Sequence, residues 1–531
     1  MPRFAAIDVG SNALRLRVVE ASGPSLASAD RVQLALLPTD PTWREIVSLR
    51  ASVRLGGEVF ATGKLAPSSI GQACAALKEF RREMDAAKVT SYRATATSAV
   101  REASNGATLV ERARREASIE LEIIYGVEEA RLIQRAVVRK LPLDGKKVLL
   151  IDVGGGSTEL TIVERGQGVF SISLPVGTVR LIESFLKDNV NLAKDRARIV
   201  REMIDRALVE ARPHLSRTTF EALVGTGGNI DTLADLCPLK GKPPIGDRAV
   251  DVADMRALFG RLAAMSPQER AKAYNLRPDR ADTIVPAAAI YLRLAERLQV
   301  GAIVVPGVGL KDGILEELVD KHFQVWDAVR EAENVLAACL RLGHRYHFDE
   351  AHGQLVAKLA AQLFDDLKEE HGFGDRERLL LRAAALLHDV GDFVRYDGHH
   401  KHSFYVIQHS DIMGLTPEER TLVANIARYH RKSGPDPSHP NFRELDKEGR
   451  MTVRALSAIL RIADALDREH LGKVKELRSL VDKQKGRVVI AVRGDEEREL
   501  EEWTVRAKSG PFRDVFGLDV VLAEGAEASL F

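Results

Sequence analysis

The chain has 531 residues, which is too long for one hydrophobic core and predicts three or four domains. Its apolar fraction of 45%, charged fraction of 29% and net charge of +1 are ordinary for a globular protein, so they give no reason to expect specific nucleic-acid binding or membrane attachment. The three cysteines lack metal-ligand spacing, and we find neither a signal-peptide pattern nor an apolar run long enough for a bilayer. These features predict a cytoplasmic protein with reduced thiols.

The first predicted element is a strand that ends in an acidic glycine turn. Residues 4–9 are mostly apolar, and residues 14–20 alternate like a returning strand. A glycine in such a turn lets backbone N–H groups point at an anion, and the alternative for this copy alone is an ordinary hairpin. The candidates for phosphate binding in this segment are Asp8, Gly10, Ser11, Asn12 and Arg15.

A second anion-binding segment is predicted at the end of a strand over residues 91–97, which follows a helix with proline in its first turn. Thr97, Ser98 and Arg101 place two hydroxyls and a guanidinium near a helix start, which is a suitable geometry for anions. An ordinary N-cap with a solvated Arg101 is the equal alternative.

The next predicted helix starts with two adjacent carboxylates. Residues 121–131 predict a strand, a glycine turn and a helix whose first turn contains Glu128 and Glu129. Acidic residues at this position usually only complement the helix dipole. Because this turn lies between two glycine loops in the sequence, we expect a carboxylate here to face a cleft as a general base. We favour Glu129, but the spacing leaves Glu128 open.

The strongest motif lies at residues 148–164 and repeats the first element. A run of branched apolar residues leads through Asp152 into a triple-glycine turn, and an alternating strand returns. Carboxylates beside bound phosphate usually hold Mg²⁺, so Asp152 and Glu159 are the predicted metal ligands. The turn residues predicted to bind phosphate are Gly154, Gly155, Gly156 and Ser157. The duplication predicts two similar α/β domains that face one cleft.

Two further glycine turns are predicted at strand ends, over residues 223–229 and 303–310. One such turn is weak evidence, because it can be a simple connection. We expect four of them on α/β units to converge on one phosphate-lined cleft. Gly227, Gly228, Gly307 and Gly309 are therefore also candidates for phosphate binding.

The distribution of histidine predicts different metal ligands in the two halves of the chain. Of the 14 histidines only His214 precedes residue 300, so a metal in the first half must bind through oxygen ligands, which favours Mg²⁺. The second half is helical and rich in histidine. From about residue 474 the pattern changes to strands and a charged helix, which predicts a small α+β cap.

The order of the motifs resembles the exopolyphosphatase and guanosine pentaphosphate phosphohydrolase (Ppx/GppA) family, within the actin–Hsp70–sugar-kinase fold. The motifs that carry the resemblance lie at residues 7–12, 94–103, 126–131, 152–159 and 307–310. The resemblance implies two actin-like domains of ribonuclease H-like fold at residues 1–135 and 136–316. It also implies that Glu129 activates water and that Asp152 and Glu159 belong to the metal and phosphate site. One departure is Asn229, because members often have an arginine just after the third glycine turn.

The C-terminal part resembles the HD metal-dependent phosphohydrolases. This resemblance implies an all-α HD-like domain at residues 317–480, followed by the small α+β domain at 481–531. The implied ligands of a second divalent metal are His352, His388, Asp389 and Asp464. Further candidates, as ligands or as a cationic lip over a polyanion, are His399, His400, His402, His409 and His430. In longer family members an HD-like domain without the full metal set extends the substrate channel, and that role is the equal alternative.

The function implied is that of an exopolyphosphatase, a Mg²⁺-dependent homodimer that removes the terminal phosphate of linear inorganic polyphosphate. The nearest alternative is a 5′-phosphohydrolase of guanosine pentaphosphate (pppGpp), which uses the same catalytic parts. A sugar- or acetate-kinase-like phosphotransferase and a nucleotide-sensing protein with idle catalytic parts are further alternatives. Nucleotide hydrolysis by the HD-like domain is the alternative for a second activity.

Overall fold

The computed structural model describes residues 1–23, 41–183, 193–215, 219–323, 328–494 and 499–523. The chain folds as two compact units, an N-terminal unit (Met1–Asp327) and a C-terminal unit (Ala328–Phe531). Within the ranges just given, no helix combines the length and the apolar character needed to cross a membrane.

The first sheet of the N-terminal unit begins with the predicted hairpin. Its strands are β1 (Arg3–Val9), β2 (Leu14–Ser22), β3 (Thr42–Ala51), β4 (Ser91–Ala96) and β5 (Leu121–Ile123), in the order β3-β2-β1-β4-β5. The first three strands are antiparallel neighbours, whereas β4 and β5 continue the sheet in parallel to β1. The carboxyl ends of β1, β4 and β5 therefore lie at one edge of the sheet.

The second sheet repeats this topology. Its strands are β6 (Lys147–Val153), β7 (Thr158–Glu164), β8 (Gln167–Leu174), β9 (Ala222–Thr226), β10 (Ala249–Asp251) and β11 (Ala302–Val304), in the order β10-β11-β9-β6-β7-β8. The run β8-β7-β6-β9-β11 matches β3-β2-β1-β4-β5 in order and strand direction, and β10 is an addition. The predicted duplication of a mixed α/β domain is confirmed.

Helices cover these sheets. In the described part of the N-terminal unit they are α1 (Gly56–Thr62), α2 (Pro67–Ala86), α3 (Ser98–Glu102), α4 (Gly106–Ala117), α5 (Gly126–Lys140), α6 (Thr178–Leu181), α7 (Ala193–Ala207), α8 (Arg212–Leu215), α9 (Gly228–Leu236), α10 (Val252–Ala263), α11 (Pro267–Ala273), α12 (Pro278–Leu298) and α13 (Leu310–His322). The glycine turns after β9 and β11 lead into the helices α9 and α13, whereas the turns after β1 and β6 lead into the returning strands β2 and β7.

The strand β1 is buried on both faces, because successive side chains alternate between them. Ala5 and Ile7 face a core beneath the first sheet, whereas Phe4 and Ala6 face a second core. This second core also contains residues of α5, β6 and α13, namely Ile133, Val148 and Ile314. It therefore joins the two sheets.

Two predicted domain boundaries fall inside helices. The boundary between residues 135 and 136 lies within α5, and the boundary between residues 316 and 317 lies within α13. Both helices extend past the predicted limits because α13 packs against α5 and β1, which continues the core shared by the two sheets. Each of the two predicted boundaries therefore divides a helix.

The C-terminal unit consists of helices and one small sheet. Its helices in the described part are α14 (Ala328–Arg345), α15 (Glu350–Asp366), α16 (Lys368–His371), α17 (Asp375–Leu387), α18 (His399–Gln408), α19 (Pro417–Arg428), α20 (Pro440–Arg443), α21 (Lys447–Ala465), α22 (Glu499–Lys508) and α23 (Gly510–Phe516), with a 3₁₀ turn at Val390–Phe393. The sheet contains β12 (Val474–Asp482), β13 (Arg487–Gly494) and β14 (Asp519–Leu522), in that order. The predicted boundary between residues 480 and 481 falls inside β12, because this strand pairs with β13 along its whole length.

Candidate active site

The two glycine turns of the duplicated motif have the same backbone geometry. The Gly10 N–H donates to the Ala13 carbonyl at 3.1 Å, and the Gly154 N–H donates to the Ser157 carbonyl at 3.0 Å. A Cβ added at Gly10 or Gly154 would lie 3.2 or 3.1 Å from the same acceptor oxygen. Space for a side chain is therefore restricted at the same point of both turns.

The two turns lie against each other. A Cβ built on Gly155 would be 2.9 Å from the Cβ of Ser11 and 3.5 Å from the backbone nitrogen of Asn12. The hydroxyls of Ser11 and Ser98 are 2.9 Å apart, which brings the start of α3 to the same place. Backbone and hydroxyl groups from three separate segments therefore converge at one point.

Three carboxylates form a cluster at the ends of these elements. Glu129, Asp152 and Glu159 each offer an oxygen, and the three oxygens lie within 4.8 Å of one another. Asp152 and Glu159 face each other in the β6–β7 pair, and Glu129 comes from the first turn of α5. The two predicted metal ligands and the preferred base are thus brought together.

Hydrogen bonds fix two of these carboxylates and leave two buried oxygens unpaired. The Ser173 hydroxyl donates to Glu159 Oε1 at 2.8 Å, and the Thr226 hydroxyl donates to Asp152 Oδ1 at 2.5 Å. Glu129 Oε2 and Glu159 Oε2 are buried, and neither has a hydrogen-bond partner among the described residues. An unpaired buried oxygen is costly, which indicates a place for a cation or a bound water.

The pKa shifts of the three carboxyl groups also indicate a site for a cation. Burial raises the pKa of each of the three carboxyl groups. The neighbouring charges of Glu159 and Asp152 raise the pKa of Glu129 further, and Arg101 only partly opposes this. The cluster therefore favours a proton or a cation, and its oxygen donors fit Mg²⁺.

Glu128 lies in a different environment. Arg131 donates to its two carboxylate oxygens at 2.6 and 2.9 Å, and Arg93 adds a contact at 3.0 Å. Burial opposes ionisation of Glu128, but these two arginines outweigh it and lower the pKa. Glu128 is held in an ion-pair network, so the geometry favours Glu129 as the base.

The first turn also carries paired charges. Arg15 donates to Asp8 Oδ2 at 2.9 Å, and Arg54 donates to Asn12 Oδ1 at 3.2 Å. Arg101 donates to the Ile124 carbonyl at 2.7 Å. The negative charge of Asp8 is therefore paired with Arg15, and three arginine side chains lie near the first turn.

The third glycine turn lies beside Asp152 and acquires an arginine that the sequence did not reveal. Gly227 has φ of 92°, and a Cβ there would be 3.3 Å from Asp152 Oδ1. Arg280, at the start of α12, donates to Asn229 Oδ1 at 2.5 Å. Burial lowers the pKa of Arg280 to about 10, and the positive charge of Arg15 adds to this effect. Arg280 is 51 residues from Asn229, so no local pattern could indicate it.

The fourth turn connects β11 and α13. Gly307 has φ of 72°, and the Gly309 N–H donates to Asp312 Oδ2 at 2.8 Å. Gly307 also lines a cavity of about 460 Å³ together with Trp43 and other residues. Lys311 lies in the first turn of α13, and its pKa is lowered by burial and by the charge of Arg15. A second unpredicted cation is thus within electrostatic range of the first turn.

Comparison with known proteins identifies the family. The profile of the Ppx/GppA phosphatase family matches residues 40–322, and that of Ppx/GppA phosphatase domain III matches residues 336–507. The chain belongs to the Ppx/GppA phosphatase family. It is therefore a hydrolase of phosphoanhydride bonds, as its motifs predicted. The family assignment also removes the kinase-like alternative.

The relatives of this Ppx/GppA phosphatase carry two kinds of name. A guanosine-5′-triphosphate,3′-diphosphate pyrophosphatase of Vibrio campbellii is 26% identical over 436 residues, which are 81% of each chain. A protein of the same name from Aeromonas hydrophila is 25% identical over 87% of each chain. The crystal structure of an exopolyphosphatase from Cytophaga hutchinsonii is 26% identical, with a TM-score of 0.52, and covers 60% of this chain and 98% of its own.

The predicted second set of metal ligands also meets in space. His352, His388 and Asp464 form one group in the C-terminal unit, and Asp389 forms another with His399 and His430. The other histidines proposed as ligands, His400 and His402 in α18 and His409 directly after it, are in neither group. The comparison with domain III does not itself describe this region as HD-like, so that part of the prediction stays a prediction.

Proposed function

We propose that this Ppx/GppA phosphatase is an exopolyphosphatase, which hydrolyses the terminal phosphoanhydride bond of linear inorganic polyphosphate. The observation that carries the proposal is the unpaired Oε2 of buried Glu129, in a carboxylate cluster next to two opposed backbone turns. Hydrolysis needs one group that aims a water molecule and a rigid set of donors for the phosphoryl oxygens. The site offers both.

Glu129 is assigned as the general base. Its Oε2 accepts a proton from the attacking water, and its raised pKa makes the ionised carboxylate a stronger base than an exposed glutamate. The group must be ionised to act, so neutralisation of the neighbouring charges by a cation helps it. Ser173 and Thr226 hold the other two carboxylates and keep them from turning away.

Asp152 and Glu159 are the proposed ligands of Mg²⁺, with Glu129 close to them. When bound, Mg²⁺ neutralises the charge that develops on the transferred phosphoryl group. The backbone N–H groups of the turns at Gly10 and at residues 154–156 are the proposed donors to the terminal phosphate. Backbone amides suit this task because they are fixed before charge develops.

Polyphosphate is favoured as the substrate by the cations near the turns. Arg280 hydrogen-bonds the neutral side chain of Asn229, and Arg15 and Lys311 lie close enough for their charges to interact. A chain of repeated negative charges can contact several cations at once. The second candidate is pppGpp hydrolysis, because the curated relatives that cover most of this chain are named for that activity.

The test compares phosphate release from long-chain polyphosphate with phosphate release from pppGpp. Both reactions contain Mg²⁺, and the two substrates are supplied at equal concentrations of terminal phosphoanhydride bonds. We expect the larger kcat/KM on polyphosphate. A larger value on pppGpp would assign the second candidate. Equal basal release by the wild type and by Glu129→Ala would mean that the catalytic parts are idle, as in a sensing protein.

A further inference from the structure

Arg180 is held by three partners beside the triple-glycine turn. Its Nε donates to the Gly156 carbonyl at 2.7 Å, and its Nη2 donates to both carboxylate oxygens of Glu102 at 2.6 and 2.7 Å. The guanidinium also lies over the ring of Phe60, with Cζ 4.1 Å from the ring centroid. The side chain is 16% exposed. Because its planar group meets a carbonyl, a carboxylate and an aromatic face together, it is fixed in one orientation.

The short helix that contains Arg180 supplies donors to the whole glycine turn. The backbone N–H groups of residues 178–180 donate to the carbonyls of Gly154 and Gly155 at 2.8 to 3.0 Å. The Nε of Arg180 adds a donor to the carbonyl of Gly156. Three successive carbonyls of the turn therefore all point toward residues 178–180.

Peptide geometry converts this arrangement into an orientation of the N–H groups. In a planar trans peptide, the carbonyl of one residue and the N–H of the next point in opposite directions. The described part of the chain has no cis peptide bond, so the N–H groups of Gly155, Gly156 and Ser157 point away from residues 178–180. None of these three N–H groups has an acceptor among the described residues. Successive N–H groups of this kind form a concavity that binds anions.

The first turn is supported in a related way. The Gly56 N–H, at the start of α1, donates to the Ser11 carbonyl at 2.8 Å. The helix α1 follows β3, and α6 follows β8, which is the corresponding strand of the second sheet. Val59 of α1 belongs to the core of the first sheet, whereas Leu181 of α6 belongs to the core of the second. Each turn therefore has a short helix of its own domain that donates to its carbonyls.

The two short helices meet through Phe60 and Arg180. Phe60 belongs to α1 and Arg180 to α6, and the two helices pack against each other. Glu102, the other side-chain partner of Arg180, ends α3. At the start of α3, the Ser98 hydroxyl is 2.9 Å from the hydroxyl of Ser11. Arg180 therefore connects its own turn to two helices that contact the first turn, and this connection sets the distance between the two turns.

We propose that Arg180 is a positioning residue for phosphoanhydride hydrolysis. It holds the Gly156 carbonyl, so the N–H groups of the turn stay directed at the substrate phosphate and at a fixed distance from the first turn. Its Nε and Nη2 groups are used by Gly156 and Glu102, so it acts through the turn and not by contact with the substrate. The inference rests on the proposed role of both turns in binding the terminal phosphate.

The test measures kcat and KM for phosphate release by the full-length wild type and by two variants of Arg180. We expect kcat of Arg180→Ala to fall about 100-fold, because a displaced turn misplaces the reacting phosphate. KM should rise by a smaller factor, since the cations near the other turns still bind the substrate. Arg180→Lys should give an intermediate kcat, because one ammonium cannot reproduce the contacts with Gly156, Glu102 and Phe60 together.

Arg293→Ala is the matched control for these variants. The Arg293 side chain is 19% exposed and pairs with Asp205, so its burial and its ion pair resemble those of Arg180. Arg293 lies in α12 and makes no contact with either glycine turn among its described hydrogen bonds. We expect Arg293→Ala to retain the kcat of the wild type.

Added guanidinium ion separates a positioning role from a general loss of structure. At concentrations too low to unfold the protein, it should restore part of kcat to Arg180→Ala by binding over Phe60, and it should leave the wild type and Arg293→Ala unchanged. A kcat of Arg180→Ala close to that of the wild type would overturn the proposal. So would a reduced kcat that guanidinium does not raise, because the loss would then come from a changed fold and not from a missing donor.

Thermal unfolding shows whether each variant is folded at the assay temperature. If Arg180→Ala does not fold, the test compares Arg180→Lys with Glu102→Gln, which leaves Arg180 on the Gly156 carbonyl and should lower kcat less. The reverse order would overturn the proposal. Failure of this inference is distinct from failure of the proposed function. A preference for pppGpp would overturn the exopolyphosphatase proposal and leave the effect of Arg180→Ala on kcat unchanged.

Discussion

Glu128 and Glu129 are neighbours in the chain but have opposite surroundings, because Arg131 binds both oxygens of Glu128 while Oε2 of buried Glu129 has no partner among the described residues. The difference arises from helix geometry. Successive residues of α5 point about 100° apart, so one carboxylate reaches the ion-pair network and the other reaches the carboxylate cluster.

This difference predicts unequal effects of two matched substitutions. Glu129→Gln removes the base but keeps the side-chain shape, so we expect kcat for phosphate release to fall on the order of 10²- to 10⁴-fold. Glu128→Gln should retain most of kcat and instead lower the unfolding temperature, because Arg131 and Arg93 lose a charged partner. Steady-state kinetics and thermal unfolding measure both. A greater loss of kcat in Glu128→Gln would reverse the assignment.

Asp152 is expected to control the need for Mg²⁺. Asp152→Asn removes one negative oxygen from the cluster, so the Mg²⁺ concentration for half-maximal activity should rise by about tenfold or more. Activity measured over a range of Mg²⁺ concentrations checks this. Asp235→Asn is a suitable control, since the Asp235 side chain is 73% exposed. An unchanged Mg²⁺ dependence in Asp152→Asn would exclude Asp152 as a ligand.

Contact between the two glycine turns predicts that a single methyl group is damaging at Gly155. Its Cβ would lie 2.9 Å from the Ser11 Cβ, so Gly155→Ala must push the turns apart. We expect a loss of activity that exceeds the loss of thermal stability. Gly71→Ala is the control, because a Cβ there meets nothing within 4 Å and should stabilise α2 by about 1 kcal/mol. Full activity of Gly155→Ala would show that the spacing of the turns is not critical.

Arg280 is expected to bind substrate phosphates. Arg280→Gln should raise KM for long polyphosphate by about tenfold, the cost of one charged hydrogen bond, and weaken the dependence of KM on salt. Arg297→Gln, on the same helix, provides the comparison because Arg297 pairs with Asp205. If both variants show the same KM, the cation at the third turn does not contact the substrate.

The raised pKa of buried Glu316 predicts that the stability of the protein depends on pH. Burial raises the pKa of Glu316 to about 8 from 4.5, despite the charges of Arg139 and Arg135. The folded protein therefore holds a proton that the unfolded chain releases, so this group lowers stability as pH rises from about 4.5 to about 8. Glu316→Gln should remove that loss, with a gain of about 1–3 kcal/mol at pH 8.5 and little gain at pH 4.5.

Urea unfolding at the two pH values measures this difference. The control is Glu164→Gln, which replaces a side chain that is 44% exposed and should change stability by less than about 0.5 kcal/mol at either pH. A gain that is equal at both pH values would mean that Glu316 is not buried as a neutral acid.

Repetition made the core of the site predictable. Asp8 and Asp152 both end a buried strand at a glycine turn, and two copies of that pattern predicted the duplicated sheets and the meeting of the turns. The choice between Glu128 and Glu129 could not be made from spacing, because it depends on where Arg93 and Arg131 lie. Arg280 was missed for a similar reason, since its partner Asn229 is distant in the chain.

The return of α13 to β1 has a practical consequence for dissecting the chain. Val319 belongs to the core that joins the two sheets, and the His322 ring meets Phe4 edge-on with centroids 5.2 Å apart. A fragment that ends at residue 316 would lack these contacts of Val319 and His322, and apolar side chains of the core between the two sheets would be exposed to water. A fragment that extends through His322 keeps these contacts. Truncations should therefore end after α13, and not directly after the last glycine motif.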